Sequence, residues 1–368
     1  MSASAIIKNK IRTEGPISFN EFMDIALYDP SCGYYRPDVE RTGKTGDFYT
    51  SPAFTPLFGE MLAKQIEEMW HILGKKEFSI IEFGGNRGSL CLDILQKLEE
   101  NPDLYKGLHY YIIDRATTIG QANKCWYHNK VSWLDSTANL KNIEGCILSN
   151  ELLDNFPIHV AVMHEQLYEI FVDYGDNGFR EILKKDEGKL QAYLSELKVN
   201  LPEGFRTEIN LEALLWLQEI TGILKRGFVL TIDYGFRNDE MYDYARREGT
   251  LVCYYRHNIN FDPYIHIGEQ DITSHVNFSA LHYWGVKNQL EYAGLTSQNH
   301  FLRALGITGH IKKMEQKGRM YCHNASETFN MAYRFLVQMG SKLKVFVQQK
   351  GIANAQLSGL KFASMHRG

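Results

Sequence analysis

Proline is sparse in this 368-residue chain, with 9, and its six cysteines (Cys32, Cys91, Cys125, Cys146, Cys253 and Cys322) form no CxxC pair. Scattered thiols argue against a zinc ribbon or a disulfide framework and suit a reducing compartment, so the cytoplasm is the expected location. No run approaches the roughly 18 apolar residues of a membrane-spanning helix. The opening MSASAIIKNKIRTEGPIS has neither a signal peptide's apolar stretch nor a transit peptide's arginine richness. Positive charge is not in excess: 40 lysines and arginines stand against 44 aspartates and glutamates, a formal charge of −4. That balance argues against nucleic acid as a partner and leaves a basic peptide open. Thirteen histidines include no HExxH, and His164-Glu165 lacks its second histidine, so no metal is expected. The absence of Gly-x-Ser-x-Gly and of a protease-like cysteine signature disfavours hydrolases. What is present is globular: 44% apolar and 23% charged residues, enough for about two domains at about 150 residues each.

The chain opens with helices and loops. FNEFMDIAL reads as a helix capped by Ser18, with Glu21 at the spacing of a capping box. FTPLFGEMLAKQIEEMWHIL places Leu57, Phe58, Met61, Leu62, Ile66 and Met69 at helical period. From FSIIEF onward, short apolar strands (LHYYIID, VSWLD, EGCILSN and later GFVLTIDYG) alternate with helical segments such as LCLDILQKLEE and LEALLWLQEITGILK. The stretch from His159 to about Lys198 has β-like alternation instead. Near-continuous apolar strands separated by helices indicate an α/β fold with a parallel sheet, whose ligands sit beyond the carboxyl ends of the strands.

Four constellations fall at such ends. Glu82-Phe83-Gly84-Gly85-Asn86-Arg87-Gly88 turns from the first strand into a helix. Its glycine spacing misses the dinucleotide pattern G-x-G-x-x-G and fits better a loop for S-adenosylmethionine, the acid supporting the loop or the methionine amino group. Asn86 stands where glycine is usual, and asparagine tolerates left-handed backbone angles. Asp114, ending LHYYIID, could accept both hydroxyls of a ribose, which NAD and S-adenosylmethionine share; Asp135 could receive an adenine amino group. Asn150, Glu151 and Asp154 follow the fourth strand in SNELLDNFP, where carboxylates could grip a planar guanidinium. Asp233-Tyr234-Gly235 ends a later strand and could shape the pocket. His275 is a candidate general base, although Asn277 and Ser279 beside it read equally well as helix caps.

These strings, with ALYDPSCGYY (Ala26 to Tyr35), GDFYTSP (Gly46 to Pro52), FGE (Phe58 to Glu60), GTLVCYYRH (Gly249 to His257), DITSHVNFSAL (Asp271 to Leu281), FLRALGI (Phe301 to Ile307) and MGSKLKVF (Met339 to Phe346), stand in an order that resembles the MidA/DUF185 class I methyltransferases. The eukaryotic members of that family are mitochondrial arginine methyltransferases of complex I assembly. The resemblance implies a Rossmann-like methyltransferase core, bound S-adenosylmethionine, and an N-terminal region and later insertions closing over the site. It puts Gly46, Asp47 and Thr50 near the cofactor or lid, and matches Asn150, Glu151 and Asp154 to the family motif after strand four. The family loop usually reads Gly-Pro-Gly-x-Gly; here Gly85-Asn86 replaces Pro-Gly.

The expected organisation is a helical N-terminal lid region over 1–75, the first part of the core over 76–158, a β-rich insertion over 159–205, the second part of the core with substrate-side insertions over 206–310, and a C-terminal return over 311–368. The expected cofactor set is Glu82, Gly84, Gly85, Gly88, Asp114 and Asp135, with Glu151, Asp154, Asn150 and His275 on the acceptor. The leading expectation is a methyltransferase acting on protein arginine. The rivals are a small-molecule O- or N-methyltransferase with His275 or Asp154 as base, and a non-catalytic assembly module. A nicotinamide dehydrogenase fits the glycine spacing least. No membrane partner is expected.

Overall fold

A computed structural model describes residues 1–36, 55–115, 129–313, 339–353 and 355–363. In chain order its helices are α1 (Ala3–Glu14), α2 (Phe19–Tyr28), α3 (Leu57–Ile72), α4 (Ser89–Leu98), α5 (Pro102–Lys106), α6 (Lys189–Glu196), α7 (Glu212–Ile223), α8 (Asn238–Met241), α9 (Phe278–Lys287) and α10 (Gln298–Ala304). Its strands are β1 (Ile17–Ser18), β2 (Phe78–Phe83), β3 (Leu108–Ile113), β4 (Val131–Leu134), β5 (Ile143–Asn150), β6 (His159–His164), β7 (Gln166–Gly175), β8 (Gly178–Lys185), β9 (Arg206–Ile209), β10 (Leu224–Phe236), β11 (Val252–Tyr255), β12 (Asn258–Asn260), β13 (Asp271–Thr273), β14 (Val276–Asn277), β15 (Glu291–Ser297) and β16 (Leu343–Lys350). They form two compact units. The first takes Met1–Phe48, Leu153–Leu217 and Gly235–Trp284; the second takes Tyr49–Leu152, Gln218–Tyr234 and Gly285–Gly368.

The second unit is built on a sheet of order β15-β16-β10-β5-β2-β3-β4. The strands from β4 to β10 run parallel, while β16 and β15 are antiparallel. The predicted apolar face of α3 is buried throughout: Leu57, Phe58, Met61, Leu62, Ile66 and Met69 join Ile80, Tyr110, Leu148 and Val345 in one core. Each such side chain contributes about 1.5–3 kcal/mol. Helix α3 approaches α4 closely, because a Cβ on Gly59 would lie 2.4 Å from Asp93 Cβ. A second close approach crosses the sheet. Ser79, Gly145 and Gly227 are in register on β2, β5 and β10. A Cβ at Gly145 would meet Ser79 O at 1.9 Å, and one at Gly227 would meet Gly145 O at 2.0 Å.

The first unit holds two smaller sheets, β1-β7-β6-β9 with β8 on β7, and β12-β11-β13. Helix α2 begins with the expected capping box: Glu21 N–H donates to Ser18 Oγ at 3.2 Å, and Ser18 N–H donates to Glu21 Oε2 at 3.1 Å. Phe19, Phe22, Met23, Ala26 and Leu27 of α2 share a core with Val160, Ile170 and Val172. The β-like reading up to Lys198 is corrected in part: Lys189–Glu196 is helical. Leu190, Tyr193 and Leu194 are buried at three- and four-residue spacing, a pattern that the surrounding alternation hides. Among the described residues no helix is long and apolar enough to cross a membrane.

Candidate active site

The turn after β2 is made by backbone that few residues can adopt. Gly84 and Gly88 have φ of +72° and +77°, and Asn86 has +48°. Gly84 N–H donates to Ile113 O at 2.9 Å and Gly88 N–H to Gly85 O at 2.7 Å. A Cβ at Gly84 would come within 2.7 Å of Leu152 Cδ1, and one at Gly85 within 2.6 Å of Ile112 Cγ2. Asn86 therefore adopts a left-handed angle that asparagine tolerates, and its N–H donates to Asp114 Oδ2 at 2.8 Å. That bond joins the ends of β2 and β3.

Glu82 is 3% exposed and accepts the Tyr110 hydroxyl at 2.7 Å. Burial pushes its carboxyl up to about 7, against the pull of Tyr110 and with a further push from Asp114. Two acids thus share one end of the sheet, one of them poised near neutrality. At the end of β5, Ser149 Oγ and Asn150 Oδ1 are buried with no hydrogen-bond partner among the described residues. Unpaired buried acceptors are costly and mark places where a polar ligand fits. Asn150 Nδ2 donates to Glu151 Oε1 at 3.3 Å, and Glu151 sits at φ +49°. Glu151 N–H donates to Ile232 O at 2.8 Å and Leu152 N–H to Asp233 Oδ2 at 3.2 Å. Asp233 Oδ1 also accepts Tyr234 N–H at 2.9 Å. Asp233, fully buried, thus clamps the acidic loop, a role that its place in an IDYG string did not suggest.

The remaining candidates fall elsewhere. Asp135 follows β4 and is exposed. Gly46, Asp47 and Thr50 lie outside the described residues. Asp154 belongs to the first unit, is 5% exposed, and its carbonyl accepts Ser274 N–H at 2.9 Å. Around it is a cluster that sequence reasoning missed. Asn155 Nδ2 and the Tyr35 hydroxyl both donate to Asp271 Oδ1, at 3.0 and 2.9 Å, and the Tyr28 hydroxyl donates to Asn155 O at 3.0 Å. Burial, then Asp271, Tyr28, Tyr34 and Asp154, holds the Tyr35 hydroxyl well above its ordinary range. The two tyrosines close the helix and the turn of ALYDPSCGYY, the only hint that they were more than core aromatics. His275 lies in the same unit, its ring stacked on Phe236 at 4.8 Å. No cluster of three or more potential metal ligands exists among the described residues.

The turn, the acid pair and the buried polar atoms of Ser149 and Asn150 suit a ligand with amino and hydroxyl donors. The model of the family described as "Putative S-adenosyl-L-methionine-dependent methyltransferase" matches residues 61–296. A COG1565 superfamily member from Burkholderia thailandensis, solved bound to S-adenosyl-homocysteine, is 29% identical with a TM-score of 0.85, over 98% of this chain and 95% of that one. A curated Drosophila melanogaster relative, "Protein arginine methyltransferase NDUFAF7 homolog, mitochondrial", is 24% identical over 95% of this chain and 85% of its own length. The human protein arginine methyltransferase NDUFAF7, mitochondrial, is 24% identical over 84% and 74%. The expected cytoplasmic location is overturned by these relatives, which are named mitochondrial. Free, scattered cysteines report only a reducing environment, and more than one compartment provides that. With more than half of its length matched by the family model, the chain belongs to the Methyltransf_28 family and is an S-adenosylmethionine-dependent methyltransferase.

Proposed function

We propose that the chain methylates an arginine side chain of a protein. The observation that carries this reading is the Asn150–Glu151 edge of β5, where a carboxylate and a buried, unpartnered amide oxygen stand side by side on a loop held by Asp233. A guanidinium offers planar, paired N–H donors that such acceptors hold in one orientation. The names of the curated relatives support the same acceptor.

In this reading Glu82, Asp114 and the Gly84–Gly85–Gly88 turn hold the cofactor, with Asp135 at its adenine and Gly46, Asp47 and Thr50 contributing from the preceding segment. S-adenosylmethionine, when bound, supplies an electrophilic methyl group on a sulfonium. The protein's own task is alignment. Glu151 and Asn150 fix the guanidinium plane, and Glu151 Oε1 receives the proton that the nitrogen sheds once methylated. Asp154 is a positioning residue in the first unit. His275 is assigned no proton transfer.

The test is transfer of labelled methyl groups from S-adenosylmethionine to proteins of cells lacking the gene, followed by amino-acid analysis. Methylarginine is expected, and Glu151→Gln lowers its rate by at least about a hundredfold, in the range of a lost transition-state contact. Label confined to small molecules, or to other amino acids, overturns the reading.

A further inference from the structure

Tyr110 is a fully buried tyrosine in the middle of β3. A phenylalanine would fill the same space with no hydroxyl to satisfy, so the oxygen calls for a reason. The register supplies one. Ile80 on β2 lies opposite Tyr110 and Glu82 lies opposite Ile112, so Tyr110 and Glu82 share one face of the sheet. Glu82 is two residues further along the strand direction, about 6.6 Å. The phenol spans that step, and its hydroxyl donates to Glu82 Oε2 at 2.7 Å.

Both ends of this bond are shut away from water, Tyr110 fully and Glu82 to all but 3%. Burial, then Glu82 and Cys91, holds the Tyr110 hydroxyl well above its ordinary range, so it keeps its proton and donates. Cys91 stands beside it from the first turn of α4 and Cys146 from β5. Around Glu82 itself, β5 offers the apolar Leu148 in register, and the titratable groups are Tyr110, Cys91 and, at the end of β3, Asp114. Tyr110 favours the charged form of the carboxyl and Asp114 opposes it. Among the described residues Tyr110 is the one donor to this carboxylate.

The second oxygen lies beneath the turn that follows β2. Glu82 Cδ is 3.3 Å and Oε1 3.5 Å from where a Cβ on Gly85 would stand. One oxygen is thus spent inside the sheet and the other is left at its carboxyl edge.

We propose that Tyr110 is a positioning residue for S-adenosylmethionine: by occupying Oε2 it holds Glu82 in one orientation and leaves Oε1 to the cofactor's amino group. The inference rests on the assignment of Glu82 to the cofactor and is independent of the acceptor. S-adenosylhomocysteine, which carries the same amino group, is titrated by calorimetry between pH 5.5 and pH 8.5 into wild type, Tyr110→Phe, Glu82→Gln and the double variant, with Tm recorded for each. In wild type the affinity is expected to rise through a midpoint of about 7, where Glu82 ionises. Loss of the donor disfavours the charged carboxylate. Tyr110→Phe therefore moves the midpoint up by about one pH unit and weakens binding at pH 7 about fivefold, the gap narrowing toward pH 8.5. Glu82→Gln abolishes the step, with or without Tyr110→Phe. A Tyr110→Phe curve with the wild-type midpoint, whatever its height, overturns the inference alone. If Tyr110→Phe does not fold, recovery of the fold in the double variant supports the coupling, and failure of the double variant as well overturns it. A wild-type curve without a step, or the same step in Glu82→Gln, overturns the cofactor role of Glu82 and this inference with it.

Discussion

Asn86 and Glu82 carry the most specific chemistry of the sheet's carboxyl edge. An asparagine at φ +48° pays about 1 kcal/mol less than an alanine would there, because its short polar side chain tolerates the left-handed angle. Asn86→Gly is expected to leave stability within about 0.5 kcal/mol of wild type and Asn86→Ala to lower it by about 1 kcal/mol, read by denaturant unfolding. Glu82 has a pH signature. Its folded carboxyl is raised by burial to about 7 from 4.5, so the stability it lends as a neutral acid is complete below about 4.5 and lost as pH rises through about 7. The unfolding free energy of Glu82→Gln relative to wild type should therefore increase between pH 5 and pH 8, by up to roughly 3 kcal/mol. A difference independent of pH contradicts the assignment of the shift to this carboxyl. The turn at these residues was legible in the sequence because its cause is local: glycine spacing and an acid two positions ahead. The Asp233 clamp on Leu152 and the Tyr35–Asp271–Asn155 cluster were not, since they join residues far apart in the chain and no spacing announces them.

At the scale of elements, legibility followed periodicity. The face of α3, the capping box of α2 and the parallel strands were read directly, whereas α6 was lost inside a run of alternating residues because it is only two turns long. Packing between elements was invisible. Gly59 reads as a weak point in a helix, where alanine would normally gain about 1 kcal/mol. In the structure it is a place where α3 and α4 approach closely, with Asp93 Cβ 2.4 Å from where a methyl would go. Gly59→Ala is expected to destabilise by about 1–3 kcal/mol, the range of overpacked cores, and thermal unfolding checks the sign. The same contact keeps Asp93 half-buried; burial, and then Glu60, pushes its carboxyl up to about 6.

For the whole molecule, the notable fact is where the chain passes from one unit to the other. Three of the passages fall inside α7, β10 and α9, not in linkers. Neither unit is a continuous piece of sequence, and melting either would unwind elements that the other needs. Scanning calorimetry is expected to give a single endotherm, and two resolved endotherms would contradict this coupling. S-adenosylhomocysteine at about a hundred times its Kd should move the entire endotherm upward, by roughly 2.7 kcal/mol of added stability. The sequence reading already divided the core into a first part, a second part and a C-terminal return around an insertion; what no spacing announced is that passages fall inside α7, β10 and α9.

The row formed by Ser79, Gly145 and Gly227 has an effect at the opposite end of its strands. Bare backbone there acts as an index notch: β2, β5 and β10 can interlock in one alignment only, since a slip by a single position would drive a side chain into a neighbouring carbonyl. Everything counted forward from the notch inherits its accuracy, so Glu82 comes level with Leu148 and Leu230, and Asn150 with Ile232, although long stretches of sequence separate them. A methyl group added at Gly145 would thus be felt first as misalignment at a distance, in residues it never touches.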